Sequence, residues 1–452
     1  MNSPVLWWVG RDLRLTDNPA LVAAAASGPV VPIMVLDAPE DALGAAAAWR
    51  LGQAITALAD DLAARGLRLV VRRGDAGAVL TALARETGAA TVHLNSPRPF
   101  FSAGAARDAL AAAGVALHVH PGNWLAPPGA VSTGAGGAYQ KFTPFWRALR
   151  GREIAAPLGV PRLTAPPILP ASDDWSLGAA MRRGAEVLAG QVRAGEAAAR
   201  DRLSEFLDDA LRGYADDRNR PDLPAATSGL SDALATGEIS ARHIWYAGLA
   251  ARDAGAPGAE TFLWELGWRD FARDLYFHAP QMDRQAWRAE WDDFPWCGDN
   301  PDAGLWRRGL TGIDMVDAGM RELYATGRMH NRVRMIVASF LTKHLLTHWR
   351  IGLDWFADTL TDWDPASNAM NWQWVAGSGP DAAPYFRVFN PDTQAAKFDP
   401  QGDYRRYWLT GPGDALFRAA IPLSWRIPRA RPAPVIGLAE GRARALTAYA
   451  AR

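Results

Sequence analysis

The first 120 residues alternate short apolar runs, rich in β-branched residues, with alanine-rich stretches of helical character. The apolar runs are 5–9, 30–36, 67–72, 91–94 and 115–120, and the helical stretches between them are 19–26, 45–65, 76–87 and 103–113. Strands that are apolar throughout and separated by helices are typical of a parallel sheet covered on both faces. Ligands of such sheets lie at the carboxyl ends of the strands. We therefore predict an α/β N-terminal domain, a doubly wound parallel sheet, over residues 1–121.

The remaining residues predict two further parts. Residues 122–190 are dense in proline, so we expect a long connector without regular structure. From residue 191 to residue 452 helical patterns dominate, and helices are expected at 191–213, 240–254, 258–278, 313–326, 328–350 and 365–376. The expected architecture is an α/β domain joined by a long connector to an all-helical domain.

Composition restricts the class of partner and the compartment. The chain has 48 basic and 48 acidic residues, so a surface that binds nucleic acid would have to be a local patch. The single cysteine, Cys297, excludes an internal disulfide and fits a reducing cytosol. The opening MNSPVLWW has no basic residues before its apolar run, and no apolar run approaches the length of a membrane span. We therefore expect a cytoplasmic protein that does not contact a membrane.

The stretch DWDPASNAMNWQW, residues 362–374, places tryptophans beside carboxylates and amides in a chain that contains 20 tryptophans. Asp364 and Pro365 are typical of an N-cap and a first helical position. At about 100° per residue, Asp364, Asn368 and Trp372 share one face of the helix. Trp374 lies about 200° from Trp372 and points nearly the opposite way. Taken alone, the stretch is explained by a capped helix with core tryptophans as well as by a functional site.

Several longer motifs occur in a characteristic order, after an opening WWVGRDLRLTDNPAL at 7–21. They are GYADDRNRPDLPAATSGLS (213–231), FLWELGWRDF (262–271), TGRMHNRVRMIVASFLTKHLLTHWR (326–350) and DWDPASNAMNWQWVAGSGPDAAPYFRVFNP (362–391). With these motifs the chain resembles the photolyase/cryptochrome family over nearly its whole length, and most of all bacterial cyclobutane pyrimidine dimer photolyases. The resemblance implies an α/β antenna-type domain over 1–121, a connector over 122–190 and a helical FAD-binding catalytic domain over 191–452.

The same resemblance implies a set of FAD-binding residues. They are Tyr214, Thr227, Ser228, Gly229, Leu230, Ser231, Arg269, Asn331, Arg334, Asp362, Trp363, Asp364 and Asn368. The hydroxyls and backbone N–H groups of TSGLS at 227–231, just before a helix, suit a pyrophosphate, although a simple helix cap would also explain them. Arg334 and Asp362 resemble the family's ion pair at the flavin edge, and as a bare pair they would fit a structural salt bridge. Asn368 resembles the asparagine that faces flavin N5.

Further roles are implied for the tryptophans and for the substrate side. Trp372 resembles the first member of an electron-transfer chain that continues through Trp349 and Trp296. Trp268 and Trp374 are implied to sandwich a pyrimidine pair that leaves the DNA stack. The implied catalytic residues are Glu265, Met335 and Asn368, and the implied contacts to DNA or lesion are Arg218, Glu265, Trp268, Arg332, Met335, Trp374, Arg387 and Lys397. Judged singly, each of these arginines also fits a solvated surface charge.

Some positions depart from the family pattern. Gly10 stands where an arginine or glutamine is usual, Phe262 where a tryptophan often packs against FAD, and SDAL occupies 231–234. Ala103 and Gly104 stand where the folate-binding members carry an Asn-Glu pair. The resemblance therefore implies FAD as cofactor, disfavours folate as the second antenna chromophore, and leaves a deazaflavin, a second flavin or no antenna open.

The implied function is light-driven repair of cyclobutane pyrimidine dimers by electron transfer from excited reduced FAD, without a metal. The expected partner is ultraviolet-damaged DNA, and the protein is expected to be a monomer. The alternative is a cryptochrome-like blue-light photoreceptor without repair activity. A (6-4) photoproduct enzyme is disfavoured because its catalytic histidines would replace Asn331 and Met335. A flavoprotein electron carrier would leave the DNA-facing residues unexplained.

Overall fold

The computed structural model describes residues 3–37, 43–96, 103–167, 169–177, 185–381 and 387–452. Within these residues, five strands form one parallel sheet in the order β3-β2-β1-β4-β5. The strands are β1 Val5–Trp8, β2 Val30–Leu36, β3 Val70–Arg73, β4 Thr91–Asn95 and β5 Ala116–His120. The helices that alternate with them are α1 Pro19–Ser27, α2 Ala45–Ala63, α3 Ala76–Thr87 and α4 Gly104–Ala112.

The predicted doubly wound α/β domain is confirmed. One buried cluster, which includes Trp7, Leu21 and Leu58, packs one face of the sheet against α1 and α2. A second buried cluster, which includes Trp8 and Leu80, packs the other face against α3 and α4. Strand β5 is exposed at the edge of the sheet. The boundaries follow the sequence pattern closely, except that β3 begins three residues after the start of the predicted run.

Among the described residues from 191 onward, helices dominate, as predicted, and further helices lie in the expected connector. These helices are α5 Phe142–Arg150, α6 Ala185–Ala189, α7 Glu196–Glu205, α8 Tyr214–Asp217, α9 Ser231–Thr236, α10 Ala241–Asp253, α11 Ala259–His278, α12 Pro301–Arg307, α13 Asp314–Thr326, α14 Asn331–Ser339, α15 Trp349–Thr359, α16 Pro365–Ala376, α17 Pro391–Phe398, α18 Asp403–Leu409, α19 Pro412–Ala420 and α20 Leu438–Ala450. One large apolar core, extending from Leu125 to Ile436, runs through these helices.

Helix α5 corrects the prediction that the connector lacks regular structure. Its buried side chains include Phe142 and Trp146, which belong to the core of the helical half. Pro144 lies in the first turn of α5, where a missing N–H costs no helical hydrogen bond. Gly267 of α11 lets α5 approach closely, because a Cβ there would lie 2.5 Å from the Trp146 ring. Part of the expected connector is thus integrated into the helical core.

Two predicted helices also need correction. The segment 328–350 is not one helix: α14 passes into a π-helical turn at Phe340–His344, and the chain leaves helical geometry before α15. Leu346 has a φ of +53°, and its carbonyl accepts a hydrogen bond from Cys297 N–H at 2.7 Å. This tertiary contact outweighs the helical propensity of the segment. The predicted helix at 191–213 begins only at Glu196, after Gly195 with a φ of +105°.

The opening motif joins the two halves of the chain. Arg14 Nη1 donates to Asp12 Oδ1 at 2.6 Å and to the carbonyl of Gly237 at 2.9 Å. The N–H of Leu15 donates to Glu196 Oε2 at 2.7 Å. The polar residues of RDLRLTDN therefore fix the α/β domain to the helical half. Gly10, the departure noted in the same motif, has a φ of +59°, a left-handed conformation that favours glycine.

We predict that Gly267→Ala lowers the free energy of unfolding by about 1–2 kcal/mol, since overpacking against the Trp146 ring outweighs alanine's better helix propensity. Urea unfolding followed by circular dichroism measures the change. Gly304→Ala in α12 is the matched control, because the nearest atom to its new Cβ is the end of the Arg308 side chain at 4.0 Å. The control should be neutral or slightly stabilised. Equal stability of the two variants would contradict the packing of α5 on α11.

Candidate functional site

Most of the predicted site residues line two adjoining cavities of the helical half. The large cavity has a volume of about 540 Å³. Its lining includes Tyr214, Arg218, Thr227, Ser228, Gly229, Leu230, Ser231, Glu265, Trp268, Arg269, Asn331, Arg332, Arg334, Met335, Asp362 and Trp374. The inner pocket, of about 90 Å³, is lined by Asn331, Arg334, Met335, Asp362, Trp363, Asp364, Asn368 and Trp372 among others. Arg334 and Asp362 belong to both linings, so the two spaces are neighbours.

Helix α16 forms part of the lining of both spaces. Trp372 lines the inner pocket and Trp374 lines the large cavity, as their angular separation on the helix predicts. Asp364 is the N-cap, with Oδ1 accepting from Ser367 N–H at 2.9 Å, and Gly377 ends the helix with a φ of +93°. The predicted helix at 365–376 is confirmed at both ends.

Arg273 supports the cap of α16 and was not predicted as a site residue. Its Nε lies 3.6 Å from Asp364 Oδ2, and it donates a hydrogen bond to the Asn123 carbonyl at 2.7 Å. Its guanidinium also lies 4.9 Å from the centre of the Trp124 ring. A signal was present in the sequence, because Arg273 follows Arg269 by four residues and so shares its helix face.

The loop at 227–231 is held from behind by Arg202. Arg202 Nε donates to the Ser228 carbonyl at 2.7 Å, and Nη2 donates to the Thr227 carbonyl at 2.7 Å. Gly229 has a φ of +62°, and a Cβ there would lie 3.1 Å from Arg202 Nε. The loop therefore needs glycine for both conformation and space. No sequence pattern connected Arg202 with a loop 25 residues away, so it was missed.

The predicted ion pair of Arg334 and Asp362 is formed, with Nη2 and Oδ2 2.7 Å apart. Arg334 Nε also donates to the Met329 carbonyl at 2.7 Å, which fixes its direction. Burial opposes ionisation of Asp362, but the charge of Arg334 and hydrogen bonds from Arg334 and Ser231 bring the pKa of this carboxyl below its usual value. The pair therefore presents a fixed carboxylate and guanidinium to the cavities.

Several buried polar atoms of the lining have no hydrogen-bond partner among the described residues. They are Asp362 Oδ1, Arg269 Nη2, Trp363 Nε1 and Trp372 Nε1. Unpaired buried donors and acceptors are costly and normally find a partner. Their position around spaces lined by indoles fits a ligand that is flat and polar at its edges. FAD has this chemistry.

Asn368 is buried and fixed in position by the neighbouring helix. Its Nδ2 donates to the Leu353 carbonyl of α15 at 3.0 Å. The amide lines the inner pocket beside Trp372 and Asp364. Its predicted position on the same helix face as these two residues is confirmed.

The two indoles of the large cavity are linked by residues that the sequence did not indicate. The Trp268 ring stacks on Phe142, with ring centres 3.8 Å apart and an interplanar angle of 12°. Trp374 Nε1 donates to the Asp381 carbonyl at 3.1 Å, and Phe142 N–H donates to Asp381 Oδ1 at 3.4 Å. Phe142 lies in the expected connector, which is why it was missed.

Of the three tryptophans predicted for electron transfer, Trp372 and Trp349 are buried and Trp296 is half-buried. The Trp372 ring packs on Gly352 of α15, where a Cβ would lie 2.0 Å from it, and Trp349 precedes Gly352 by three residues on the same helix face. The His348 ring is 5.4 Å from Trp349 and 5.7 Å from Trp296 between ring centres. Trp306 also lies beside Trp372, at 6.3 Å, and was not predicted.

The predicted basic residues do not all line one space. Arg218 and Arg332 line the large cavity, and Arg218 pairs with Glu265 there. Arg332 and Lys397 both lie over the Phe398 ring, at 4.4 and 5.1 Å from its centre. Arg387 and Trp374 line a separate small cavity. Arg387 and Lys397 lie outside the lining of the large cavity, and the contacts to DNA expected of all four residues stay a prediction.

The positions that depart from the family pattern are also placed. Ala103 caps α4 and Gly104 is its first residue, and neither has a polar side chain to offer a chromophore. The Phe262 ring lies 4.8 Å from Phe206 and 6.0 Å from Tyr214, in the wall of a third cavity of about 250 Å³.

In the part of the chain that is described, no helix has the length and apolar character needed to cross a membrane.

Comparisons with known proteins agree with this geometry. A family model described as DNA photolyase matches residues 5–164, and one described as the FAD binding domain of DNA photolyase matches residues 262–451. A deoxyribodipyrimidine photo-lyase of Agrobacterium fabrum is 43% identical over 475 residues, covering 99% of this chain and 98% of that protein.

Solved structures show the same fold. A bacterial class III photolyase from Agrobacterium tumefaciens matches with a TM-score of 0.90 and 40% identity, covering 100% of this chain and 98% of that one. A cryptochrome from Synechocystis matches with a TM-score of 0.83 and 28% identity over 99% of both chains. The chain therefore belongs to the DNA photolyase family, and its helical half is the FAD-binding domain of that family.

Proposed function

We propose that this protein uses light to repair cyclobutane pyrimidine dimers in DNA. The observation that carries the proposal is that the two indoles of α16 line different spaces: Trp372 lines the inner pocket and Trp374 lines the large cavity. Glu265, Trp268 and Met335 complete the polar and apolar lining of the large cavity. The loop at 227–231 lines the large cavity together with Glu265, Trp268 and Trp374. This cavity therefore offers space for a flavin at the loop and for two adjacent pyrimidines, removed from the DNA stack, at the indoles.

FAD would be held by the loop at 227–231 and by Arg334, Asp362, Asp364 and Asn368. When bound, it supplies the electron that light transfers to the dimer and that afterwards returns. Arg334 contributes a positive charge that stabilises an anionic ring edge, and Asp362 keeps this charge in place. Asn368, held by α15, contributes an amide in a fixed orientation.

The dimer would bind in the part of the large cavity that is lined by Glu265, Trp268 and Trp374. Its indoles offer stacking surfaces, each contributing about 1–3 kcal/mol per base. Trp268 is supported from behind by Phe142, so its ring does not have to be ordered when the lesion binds. Glu265 provides a hydrogen-bond acceptor at the wall.

A second role is assigned to the path of Trp372, Trp349 and Trp296. Indoles are oxidised at accessible potentials, and successive rings shorten each electron jump. Trp296 is half-buried, so the path ends where solvent can stabilise a positive charge. We assign this path to light-driven reduction of the bound flavin, a process separate from repair.

The similarity to a cryptochrome supports one alternative, a blue-light photoreceptor that does not repair DNA. Both candidates share the fold and the flavin. They differ in whether the large cavity binds and converts a lesion, and the first prediction below separates them.

We predict that the protein with reduced FAD converts dimers in an ultraviolet-damaged oligonucleotide under blue or near-ultraviolet light and leaves them unchanged in the dark. Recovery of absorbance near 260 nm, as unsaturated pyrimidines form again, measures repair. The same protein with oxidised FAD, under brief illumination, is the control. Reduced, DNA-bound protein that repairs nothing in the light would move the assignment to the photoreceptor.

We predict opposite effects for two neighbouring substitutions. Trp372→Phe should slow photoreduction of the flavin strongly but leave repair intact when the flavin is reduced chemically, because repair electrons do not use the tryptophan path. Trp374→Phe should leave photoreduction intact and weaken lesion binding. Each keeps an aromatic filler, so the packing loss should be about 1–2 kcal/mol.

Transient absorption measures photoreduction, and a repair assay on pre-reduced samples measures the second activity. Parallel losses of both activities in both variants would show that the two indoles are core residues without separate roles.

We predict that affinity for damaged DNA falls steeply as salt rises, because phosphate neutralisation releases counterions, although the net charge of the chain is zero. Arg332→Gln and Lys397→Gln should each reduce the slope of log affinity against log salt by about 1. Arg85→Gln in α3 is a control from the α/β domain and should leave the slope unchanged. Fluorescence anisotropy measures the binding, and an equal slope in all four proteins would exclude Arg332 and Lys397 from DNA binding.

A further inference from the structure

Arg218 and Glu265 form an ion pair in the wall of the large cavity. Arg218 Nη1 contacts Glu265 Oε1, and 30% and 35% of the two side chains are exposed. Glu265 belongs to α11, a helix of 20 residues, whereas Arg218 ends α8, a helix of four residues. The pair thus connects a long, rigid wall to a short turn, and the position of Arg218 depends on what else holds that turn.

The turn is held independently of Glu265. The N–H of Arg218 donates to the Tyr214 carbonyl at 3.1 Å. Arg332 Nη2 donates to Asn219 Oδ1 at 2.7 Å, which ties the next residue to α14. Arg332 in turn lies over the Phe398 ring. Arg218 is therefore placed beside Glu265 by the surrounding structure, and the carboxylate does not have to recruit it.

The carboxyl group of Glu265 experiences two opposing influences. Burial raises its pKa, and the charge and hydrogen bond of Arg218 oppose that rise. The net effect is a raised pKa, so the carboxyl is already easier to protonate than an exposed glutamate. Without Arg218, burial would act alone, and the neutral form would extend to still higher pH.

We infer that Arg218 is a positioning residue that keeps Glu265 ionised and oriented as a hydrogen-bond acceptor for the pyrimidine in the large cavity. The inference rests on the proposed repair function. A thymine ring presents an N–H donor, and an ionised carboxylate accepts such a bond without offering a competing donor. Protonated Glu265 would carry an O–H on one oxygen and would be a weaker acceptor.

Other charged or titratable side chains line the large cavity without replacing this pair. They are Tyr214, Arg269, His330, Arg332, Arg334 and Asp362. Arg269 pairs with Asp270 at 3.0 Å, and Arg334 pairs with Asp362 at 2.7 Å. The charges of Arg269 and Arg334 are therefore compensated locally.

Two of these groups titrate mainly outside the range from pH 5 to pH 9. Burial and the neighbouring arginines lower the pKa of His330 to about 4, and burial raises the pKa of the Tyr214 hydroxyl above its usual value. Glu322, in the wall of a neighbouring cavity, has a pKa that burial raises to about 7, so its titration must be separated from that of Glu265.

The test follows the pH dependence of repair. Single-turnover rates are measured with pre-reduced protein, saturating damaged oligonucleotide and constant light, from pH 5 to pH 9. Repair that needs the Glu265 carboxylate is lost as pH falls through the pKa of this group. Arg218→Gln should move this acid midpoint upward by about 1–3 pH units, with recovery of the rate at high pH. Arg218→Lys retains the positive charge and should restore a midpoint near that of the parent.

Two controls isolate the pair. Arg220→Gln removes the same charge two residues away, where Arg220 Nε binds Asp222 Oδ1 at 2.8 Å, and should leave the midpoint unchanged. In the Glu265→Gln variant, a second substitution Arg218→Gln should no longer shift the pH profile of repair. A change in rate caused by the titration of Glu322 would still be present in that variant. The infrared carbonyl band of protonated Glu265 is identified by its loss in Glu265→Gln. In protein without DNA, the midpoint of this band should shift upward in Arg218→Gln by the same amount as the acid midpoint of repair.

The inference would be overturned if the parent protein repairs dimers and Arg218→Gln has the same acid midpoint and the same infrared midpoint as the parent. A parent protein that repairs nothing at any pH would instead refute the proposed function, and the infrared titration would still decide whether Arg218 controls the ionisation of Glu265.

Discussion

The cap at the start of α16 is the interaction on which the site depends. Asp364 accepts a hydrogen bond from Ser367 N–H, and Arg273 lies beside its second oxygen. Because residues of a helix keep fixed angles to one another, fixing the first turn also fixes the directions of Asn368, Trp372 and Trp374. One capped helix therefore decides which indole reaches the inner pocket and which reaches the large cavity.

The neighbouring segments hold α16 close to α15 and in a fixed position. Gly352 leaves room for the Trp372 ring to lie against the backbone of α15, and Asn368 donates to the Leu353 carbonyl of the same helix. On the other side, Asp381 links Trp374 with Phe142, which stacks on Trp268. Protein contacts thus hold both indole rings in place, which would reduce the entropic cost of binding a base in the proposed function.

The sequence patterns predicted regular elements well where local signals and tertiary contacts agree. Strand β2, α3 and α16 have the predicted bounds. Strand β2 is an apolar run that is buried throughout, and both helices start at a capping aspartate and end at a glycine. Prediction was wrong where a distant segment intervened. The helix expected over 328–350 is interrupted where the Leu346 carbonyl accepts a hydrogen bond from Cys297 N–H. Helix α5 forms within a proline-rich region where Gly267 of α11 leaves room for the Trp146 ring.

The sequence by itself determined the two-part architecture, the family and the residues of α16, since periodicity, capping and ordered motifs are local properties of the chain. The tertiary structure alone decided which distant side chains support the site. Arg202 behind the loop at 227–231 and Arg218 beside Glu265 come from other segments, and their hydrogen bonds and charges act over a few ångströms in space. Such contacts leave no periodic trace in a sequence, because the separation along the chain is unrelated to the distance after folding.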